Sequence, residues 1–273
     1  MNRAAVILAG GAGTRLRPLS SDDNPKQFLR LFDGQSLLER TFGRLARILP
    51  AERIFVSTNE RYRGHCVEQL PLLPPENVLT EPSRRNTAPA IALCSFTIAS
   101  RFGDECTMAF LPSDHYIGDE DEFLRILTRA FVFAESHDYL GTIGITPTEP
   151  NTGFGYLELG EPLDGEVLRV RRFTEKPSRE VAEEFLRAGN YVWNGGMFLW
   201  RGSTFRAALA EAAPELMQVS EATYGEMPSL SIDYALMEKA ARVSTIRGDF
   251  DWSDVGSFEA LRKVGVQLPE GVG

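Results

Sequence analysis

The sequence has few cysteines, more acidic than basic residues, and no long apolar run. Its three cysteines, Cys66, Cys94 and Cys106, lie far apart and form no CxxC pair, so neither a zinc site nor a disulfide framework is indicated. The formal net charge of -9 argues against a nucleic acid or an anionic membrane as partner. No stretch approaches the roughly 20 apolar residues of a membrane span, and the first apolar run is too short for a signal peptide. We therefore expect a cytoplasmic protein with neither a nucleic-acid nor a membrane partner.

The composition is ordinary for a globular protein, with 43% hydrophobic and 25% charged residues over 273 positions. Strand and helix patterns alternate along the first half, which predicts a parallel sheet with helices. The predicted strands there cover residues 5–9, 53–58, 77–80, 106–111 and 139–146, and the predicted helices cover 36–49, 59–70, 87–102 and 119–137. Ser36 and Glu39 have the spacing of a capping box at the start of the first helix. From about residue 147, glycine and proline divide the chain into shorter segments. We predict an antiparallel pair of strands at 154–159 and 166–173, a helix at 178–188, a strand at 191–200, helices at 203–213 and 231–241, a strand at 242–247 and a helix from 258.

An apolar strand at the start of the chain leads directly into a glycine-rich loop. Residues 5–9 form a buried parallel strand in this prediction, because such strands are covered on both faces. Gly10, Gly11 and Gly13 follow, and without side chains they let backbone N–H groups approach phosphate oxygens closely. The letters GGAGTR match neither a Walker loop, which ends in Gly-Lys-Ser/Thr, nor the GxGxxG dinucleotide fingerprint. A glycine turn without function stays open as the alternative.

Two cations follow this loop. Arg15 can contact a phosphate through two guanidinium nitrogens at once. Lys26 comes after a polar insertion, residues 20–24, which we interpret as a mobile lip that can carry Lys26 over a bound triphosphate.

Carboxylates after two later strands are candidate metal ligands. Asp114 lies just past the predicted strand 106–111, and open α/β sheets bind their ligands at the carboxyl ends of the strands. Asp249, Asp251 and Asp254 crowd one loop, and carboxylate oxygens suit a hard cation. An Asx turn at Asp114 and helix caps in the later loop are the alternatives.

A further group of polar residues lies in the second half of the chain. Glu175 and Lys176 end the second strand of the predicted antiparallel pair, and adjacent strand residues point to opposite sides, so they can address two parts of one ligand. A surface ion pair without function is the alternative. Asn194, Gly195 and Gly196 interrupt a hydrophobic strand, which indicates either a packing bulge or the close approach of a ligand.

A resemblance to a known family rests on nine segments, which are GGAGTRLRPL, PKQFL, EPSRRNTAPAI, LPSDH, NTGFGYLE, FTEKP, WNGGMFLW, SIDYALMEK and WSDVGSF. Together these segments, within residues 3–258, resemble the sugar-1-phosphate nucleotidyltransferases, and three of them are similar to the branch of mannose-1-phosphate guanylyltransferases. The resemblance implies an α/β fold with a Rossmann-like mixed, mostly parallel sheet (GT-A-like), flanked by helices and carrying a small antiparallel sugar-binding lip. It implies a catalytic domain at 1–264, with a nucleotide half at about 1–146 and a sugar-phosphate half at about 147–264, and a tail at 265–273.

The activity that this resemblance implies is transfer of GMP from GTP to mannose 1-phosphate, giving GDP-mannose and pyrophosphate without a covalent enzyme intermediate. Mg²⁺ is the implied cofactor, and a homodimer is one option for the assembly. A different sugar 1-phosphate or nucleotide, or an inactive sugar-nucleotide sensor, are the alternatives. By matching position, the resemblance implies catalytic roles for Arg15, Lys26, Asp114 and Lys176; nucleotide contacts from Leu8, Gly10, Gly11, Gly13, Thr14, Arg15, Glu81, Asn86 and Asp114; sugar-phosphate contacts from Gly155, Glu175, Lys176 and Asn194; and metal ligation by Asp114 and Asp254.

Glu81 is the predicted reader of the base. Guanine presents N1–H and its 2-amino group side by side, and one carboxylate can accept both. Adenine has an acceptor at N1, which would face a carboxylate lone pair. Glu81 closes the third predicted strand, on the edge where the first strand delivers the glycine loop, and a Gln commonly stands here in thymidylyl- and uridylyltransferases of similar sequence. The alternative is that Glu81 caps the turn before Pro82 and that Asn86 or backbone groups read the base.

Overall fold

The computed structural model describes residues 2–11 and 13–268. Its strands are β1 (Arg3–Leu8), β2 (Ile54–Asn59), β3 (Val78–Glu81), β4 (Thr107–Pro112), β5 (Tyr116–Ile117), β6 (Leu140–Ile145), β7 (Tyr156–Asp164), β8 (Val167–Thr174), β9 (Tyr191–Arg201), β10 (Val243–Gly248) and β11 (Trp252–Ser253). Its α-helices are α1 (Leu37–Ala46), α2 (Arg63–Gln69), α3 (Thr87–Phe102), α4 (Glu120–Ser136), α5 (Arg179–Ala188), α6 (Gly202–Ala212) and α7 (Phe258–Lys263). The predicted tail at 265–273 lies outside the described residues from position 269 onward.

The chain divides into two compact units, and each collects segments that are distant in sequence. Unit 1 comprises Met1–Ala4, Ser83–Phe110 and Arg125–Asp249. Unit 2 comprises Ala5–Pro82, Leu111–Leu124 and Phe250–Gly273. The predicted halves, about 1–146 and about 147–264, are defined by the ligand that each would bind, whereas the two units are defined by contacts within the chain. The assignment of one ligand to each half stays a prediction.

Unit 2 contains three parallel strands in the order β3-β2-β1. Ala5 of β1 pairs with Ile54 of β2, and the side chains of residues 4–7 are fully buried. Because both faces of β1 are covered, it carries a continuous apolar run, as the sequence predicted. The predicted capping box of α1 is present, since Ser36 accepts from the Glu39 N–H and Glu39 accepts from the Ser36 N–H.

A hydrophobic cluster in unit 2 joins the segment after the glycine loop to α7. α7 is six residues long and is capped by Ser257, whose hydroxyl oxygen accepts from the Ala260 N–H. So short a helix depends on tertiary packing rather than on its own propensity. The buried members of the cluster are Leu16, Phe32, Leu37, Val255, Leu261 and Val266.

Unit 1 contains the strand order β4-β9-β6-β10-β8-β7, with an additional pairing of β7 with β9. β6 and β10 are parallel, whereas β9 is antiparallel to β4, β6 and β7, and β8 is antiparallel to β7 and β10. The prediction of a mixed α/β sheet is confirmed. Its antiparallel share is larger than predicted, because β9 lies between β4 and β6 and runs against both.

The predicted pair of strands at 154–159 and 166–173 forms as β7 and β8, with Tyr156 opposite Thr174 and Leu157 opposite Phe173. It does not project as a separate lip, because β7 also pairs with β9 and β8 with β10. β8 ends at Thr174, so Glu175 and Lys176 follow the end of this strand.

The segment predicted as a helix at 231–241 forms a π-helical turn at Asp233–Met237 instead. Ile232, Ala235 and Leu236 are fully buried, as the helical spacing indicated. A π turn has an i→i+5 hydrogen bond and therefore shifts the later side chains relative to an α-helix. Such turns occur frequently at functional sites.

Aromatic rings fill the core of unit 1. The ring of Trp200 on β9 lies 4.9 Å from that of Phe205 on α6 and 5.2 Å from that of Phe110 on β4. Offset rings of this size stabilise a core through buried area and ring contacts. Throughout residues 2–11 and 13–268, the helices are too short or too polar to cross a membrane.

Candidate active site

Side chains of unit 2 hold the glycine-rich loop in place. The carbonyl of Ala9 accepts from Thr58 Oγ1 at 3.0 Å and from Gln27 Nε2 at 3.0 Å. Gln27 Nε2 also donates to the carbonyl of Gly11 at 2.9 Å, and Gln27 is only 1% exposed. The sequence predicts no role for Gln27, although it lies in the segment PKQFL, because nothing in that segment shows which backbone groups its amide would reach. The structure gives it the role of fixing the loop.

Among the three loop glycines, Gly13 has the strictest steric requirement. It adopts φ of 60°, and a Cβ placed on it would lie 2.7 Å from the backbone nitrogen of Lys26. Gly11 has no atom within 4 Å of the equivalent position. Thr14 and Arg15 follow in an exposed 3-10 turn, and the Arg15 side chain is 75% exposed. The loop therefore combines a fixed backbone with an exposed cation.

Glu81 lies against the glycine loop. It is the last residue of β3, and a Cβ on Gly10 would lie 3.0 Å from Glu81 Oε1. Leu8 ends β1 immediately before the loop. The predicted proximity of Glu81 to the loop is thus present in unit 2, while its role in reading the base stays a prediction.

Lys26 is buried, and the prediction of a mobile lip is wrong for it. The residue is 5% exposed, its Nζ lies 2.8 Å from Asp114 Oδ2, and Nζ donates to the carbonyl of Asp254 at 2.7 Å. Its ammonium can be buried because these oxygens neutralise and solvate it. Burial alone would raise the pKa of Asp114, but the charge of Lys26, the hydrogen bonds to the carboxylate and the interaction with His115 together outweigh this, so the pKa of Asp114 is lowered.

Asp114 and Asp254 are brought together from positions 140 residues apart in sequence. Ser113 donates its N–H to the carbonyl of Leu8 at 3.0 Å, which sets Asp114 beside the glycine loop. Asp254 Oδ2 lies 4.0 Å from Arg15 Nη2, and Asp254 Oδ1 accepts from the Gly256 N–H at 3.2 Å. The Asp114 carboxylate and the Asp254 backbone carbonyl therefore both contact the Lys26 ammonium.

The other aspartates of the loop do not join this pair. Asp251 packs against Gly118, whose N–H donates to the Asp251 carbonyl at 3.0 Å, and Asp249 belongs to unit 1. Within the described ranges, no group of three or more His, Cys, Asp or Glu side chains could hold a metal ion. Asp114 and Asp254 nevertheless suit Mg²⁺, which usually takes one or two protein carboxylates and completes its shell with water and substrate phosphates.

His115 is held as a neutral ring. Trp252 Nε1 donates to His115 Nδ1 at 3.1 Å, so Nδ1 is an acceptor. Burial lowers the pKa of His115 to about 4, although the Asp114 carboxylate opposes this. His115 is therefore a neutral hydrogen-bond acceptor for Trp252, next to Asp114 in the chain.

Unit 1 brings Gly155, Glu175 and Asn194 together. The Asn194 N–H donates to the Gly155 carbonyl at 2.8 Å. A Cβ on Gly155 would lie 2.5 Å from Glu175 Oε2 and 3.4 Å from Asn194 Cβ. The β6–β9 ladder has an irregularity between Thr142 and Gly144, opposite this part of β9. Asn194 pairs with Gly144 and Phe198 pairs with Thr142, so a bulge lies between Asn194 and Phe198. A bulge was one of the two predicted alternatives for this segment.

Glu175 and Lys176 do not point to opposite sides as predicted. Lys176 Nζ lies 2.8 Å from Glu175 Oε1. The strand alternation does not apply, because β8 ends at Thr174 and Lys176 adopts φ of 45°. The Glu175 side chain is 7% exposed and that of Lys176 is 57% exposed. The hydrogen bond to Glu175 raises the pKa of Lys176.

Two carboxylates that the sequence did not assign hold these residues. Asn194 Nδ2 donates to Asp233 Oδ1 at 2.9 Å, and the Glu175 N–H donates to Glu238 Oε1 at 2.9 Å. Both carboxylates come from the segment SIDYALMEK. That segment resembles the family, but its apolar spacing alone gave no reason to place these side chains at the site.

Asn86 lies in unit 1 at the start of α3. Its side-chain oxygen accepts from the Thr87 N–H at 2.8 Å, and it adopts φ of 66° with ψ of -173°. Asn86, Lys176 and Val255 have positive φ and are at, or next to, residues predicted for the site. Non-glycine residues in this region carry strain that often accompanies function.

The fold and these residues describe an α/β protein with a glycine-rich loop after its first strand. The chain belongs to the nucleotidyl transferase family, whose model matches residues 4–271. It is 39% identical to a mannose-1-phosphate guanylyltransferase of Sinorhizobium fredii (strain NBRC 101917 / NGR234) over 97% of this chain and 56% of that protein. It is also 39% identical to a mannose-1-phosphate guanylyltransferase of Escherichia coli, over 95% of this chain and 59% of that protein.

A solved structure agrees with these relatives. A Thermus thermophilus protein described as a mannose-1-phosphate geranyltransferase matches with a TM-score of 0.87 and 37% identity, over 98% of this chain and 81% of that one. The chain spans less than two thirds of the length of the curated relatives named above. Nucleotidyltransferases of this kind generally need a divalent metal ion.

Proposed function

We propose that this chain transfers GMP from GTP to mannose 1-phosphate, giving GDP-mannose and pyrophosphate. A phosphate oxygen of mannose 1-phosphate attacks the α-phosphorus of GTP, and the bond from that phosphorus to the bridging oxygen of pyrophosphate breaks. The nucleophile is already an anion, so the protein needs no covalent intermediate. Its task is to align the two substrates and to neutralise charge.

The observation that carries this proposal is the buried contact of Lys26 with Asp114 beside a fixed glycine loop. A buried ammonium surrounded by oxygens is positioned in advance, so it needs no rearrangement when charge develops on a phosphate. We assign binding of the triphosphate to the backbone N–H groups of Gly10, Gly11 and Gly13. The exposed Arg15 side chain would contact the triphosphate as well.

Asp114 and Asp254 are assigned to Mg²⁺. When bound, the metal ion would offset negative charge on the triphosphate and on the leaving pyrophosphate. Lys26 holds Asp114 Oδ2 and the Asp254 backbone, so it fixes both proposed ligands as well as contributing its own charge.

The sugar phosphate is assigned to unit 1. The exposed Lys176 contacts the phosphate, while Glu175, Asn194 and the Gly155 backbone contact the sugar. Glu175 is suited to this because its buried carboxylate is held by Lys176 and its own N–H is fixed by Glu238. The proposal for the whole reaction rests on these assignments and on the named relatives.

The decisive experiment measures pyrophosphate release with each nucleoside triphosphate against a panel of sugar 1-phosphates. We expect the highest kcat/KM for GTP with mannose 1-phosphate, and no release without a divalent metal ion. A higher kcat/KM for another pair of nucleoside triphosphate and sugar 1-phosphate would mean that the chain acts on that pair instead. Tight binding of GDP-mannose without turnover would instead identify an inactive sensor.

The base assignment has its own test, in which Glu81→Gln keeps the size of the side chain but removes the paired acceptor oxygens. We expect GTP use to weaken by about 1 to 3 kcal/mol and the preference for GTP over dTTP or UTP to narrow. If the preference for GTP over dTTP or UTP is unchanged in Glu81→Gln, recognition of the base would be assigned to Asn86 or to backbone groups instead.

A further inference from the structure

Asp233 lies in the π-helical turn of unit 1 and contacts a residue assigned to the sugar. Asn194 Nδ2 donates to Asp233 Oδ1 at 2.9 Å. Asp233 also interacts electrostatically with Glu175 and Lys176, and it is half-buried. A half-buried aspartate that interacts with another carboxylate, Glu175, is unfavourable for folding, so its presence needs a reason.

The Asn194 amide has little capacity left for a ligand. Its oxygen accepts from Thr142 Oγ1 at 2.9 Å and from the Gly196 N–H at 3.2 Å, which uses both lone pairs. One of its two N–H groups is taken by Asp233. Asn194 can therefore offer a sugar one donor and no acceptor.

Sugar hydroxyl groups need acceptors as well as donors. Glu175 is one source, although Lys176 Nζ already contacts its Oε1 at 2.8 Å. An ionised aspartate has two oxygens with about four lone-pair sites. Hydrogen bonds from Asn194, from Ser231 and from its own backbone use part of this capacity. Asp233 is thus the second carboxylate at this site that can accept from a hydroxyl.

The segment around Asp233 is held firmly enough to position a ligand. The Ile232 N–H donates to Thr87 Oγ1 at 2.9 Å, and Glu238 Oε1 accepts from the Glu175 N–H at 2.9 Å. The buried side chains of Ile232, Ala235 and Leu236 anchor the turn in the core. Asp233 and the Asn194 amide are therefore presented as one fixed pair.

We propose that Asp233 binds a hydroxyl group of the sugar directly and helps to determine which sugar 1-phosphate is used. The hydroxyl donates to Asp233 and accepts from the remaining N–H of Asn194. This inference rests on the proposed function, because it takes the occupant of the unit 1 site to be a sugar phosphate. Glu238 acts differently, as a positioning residue that works through the backbone of Glu175.

The test compares wild-type protein with Asp233→Asn, Glu238→Gln and Asp104→Asn. Asp233→Asn keeps an oxygen for Asn194 but offers the sugar an amide donor in place of an acceptor. Asp104→Asn is the matched control, since Asp104 forms an exposed ion pair with Arg206 in the same unit, at 3.0 Å. The substrates are mannose 1-phosphate and its 2-, 3-, 4- and 6-deoxy analogues.

If Asp233 contacts a sugar hydroxyl directly, one deoxy analogue lacks that hydroxyl. For the wild type we expect kcat/KM with this analogue to be lower than with mannose 1-phosphate by about tenfold or more. In Asp233→Asn this difference shrinks to about twofold, while the KM for GTP changes by less than about twofold. Glu238→Gln lowers kcat/KM for all five sugar phosphates in parallel, and Asp104→Asn changes none. Equal losses for all five in Asp233→Asn, or no loss, overturn the assignment.

Calorimetric titration of the same sugar phosphates, in the presence of α,β-methylene-GTP, separates this inference from the proposed function. If the wild type binds mannose 1-phosphate but releases no pyrophosphate with GTP, the proposed function fails. The analogue pattern in the dissociation constants then still supports or refutes Asp233. If turnover occurs but the pattern is absent, the Asp233 assignment fails alone. If the wild type neither binds nor uses mannose 1-phosphate, both fail.

Discussion

Gly13→Ala should destabilise unit 2 more than alanine substitutions at two other glycines of this unit, Gly34 and Gly43. Two penalties act at this position. A residue with a Cβ at φ near 60° costs about 1 to 2 kcal/mol in backbone conformation. The new Cβ would also lie 2.7 Å from the backbone nitrogen of Lys26, and forcing extra volume into a packed site costs about 1 to 3 kcal/mol. Alanine restricts the unfolded chain and returns about 0.4 to 1 kcal/mol, so we expect a net loss of about 2 to 4 kcal/mol.

Two glycines of the same unit separate the two penalties. Gly34 has φ of 78°, but no atom lies within 4 Å of the position that a Cβ would take, so Gly34→Ala should lose only about 1 kcal/mol. Gly43 lies inside α1 with the same open space and no positive φ, so Gly43→Ala should gain about 0.5 to 1 kcal/mol.

Urea unfolding monitored by circular dichroism measures all three variants, with the slope of each transition checked against wild type. We expect midpoints in the order Gly43→Ala, wild type, Gly34→Ala, Gly13→Ala. A Gly13→Ala protein as stable as Gly34→Ala would mean that the contact with the Lys26 backbone relaxes freely. The close approach of Gly13 to Lys26 would then impose no steric requirement on this position.

Three further predictions concern the proposed site. Lys176→Ala should raise the KM for mannose 1-phosphate by about tenfold or more and leave the KM for GTP nearly unchanged. The control Lys239→Ala should change neither KM. Equal effects of Lys176→Ala on the two KM values would contradict the assignment of Lys176 to the sugar phosphate. Asp254→Asn removes one proposed metal-ligand charge, so turnover should fall by orders of magnitude in folded protein, and near-normal turnover with normal magnesium dependence would exclude Asp254 as a ligand. Burial and the charge of Glu175 raise the pKa of Asp233 from 3.8 to about 6, although the charge of Lys176 opposes this. Because the pKa is higher in the folded state, ionisation of Asp233 lowers the free energy of unfolding as pH rises from about 4 to above 6. Asp233→Asn should therefore be more stable than wild type by up to about 3 kcal/mol at pH 7 to 8, and below about pH 4 this pH-dependent gain should disappear and leave a constant difference. Melting temperatures of the two proteins that differ equally at all pH values would refute this.

Local patterns in the sequence were enough to predict the strand β1, the glycine loop, the capping box at Ser36 and the antiparallel pair β7–β8. Each of these depends on neighbouring letters: continuous apolar residues, glycine spacing, a Ser-x-x-Glu cap or turn residues. The place of Asp114 at the end of β4 followed for the same reason. The roles assigned to these residues remain predictions.

Partners that are distant in sequence explain what the sequence could not predict. Lys26 looked exposed because its neighbours are polar, and its burial depends on Asp114 and Asp254, which lie 88 and 228 positions further along. Gln27 supports the loop through carbonyl groups, which leave no trace in a motif. The π turn at Asp233–Met237 buries the same apolar residues as an α-helix would, so hydrophobic spacing cannot distinguish the two.

The assembly of unit 2 from separate segments has a consequence for the order in which a ribosome makes this protein. The glycine loop, Leu16 and Lys26 are synthesised before residue 30. The Asp254 and Val255 carbonyls that bind Lys26, and the α7 residue Leu261 that packs in one cluster with Leu16, come only after residue 250. At about 5 to 20 residues per second, the 126 positions from residue 124 to residue 250 take roughly ten seconds. During that interval Leu16 lacks part of its packing surface, and Lys26 has Asp114 but neither of the two carbonyl groups, those of Asp254 and Val255, to which it donates. The site assigned to the nucleotide is therefore completed only after residues 254 and 255 are made, although its glycine loop and Lys26 are made more than 200 positions earlier.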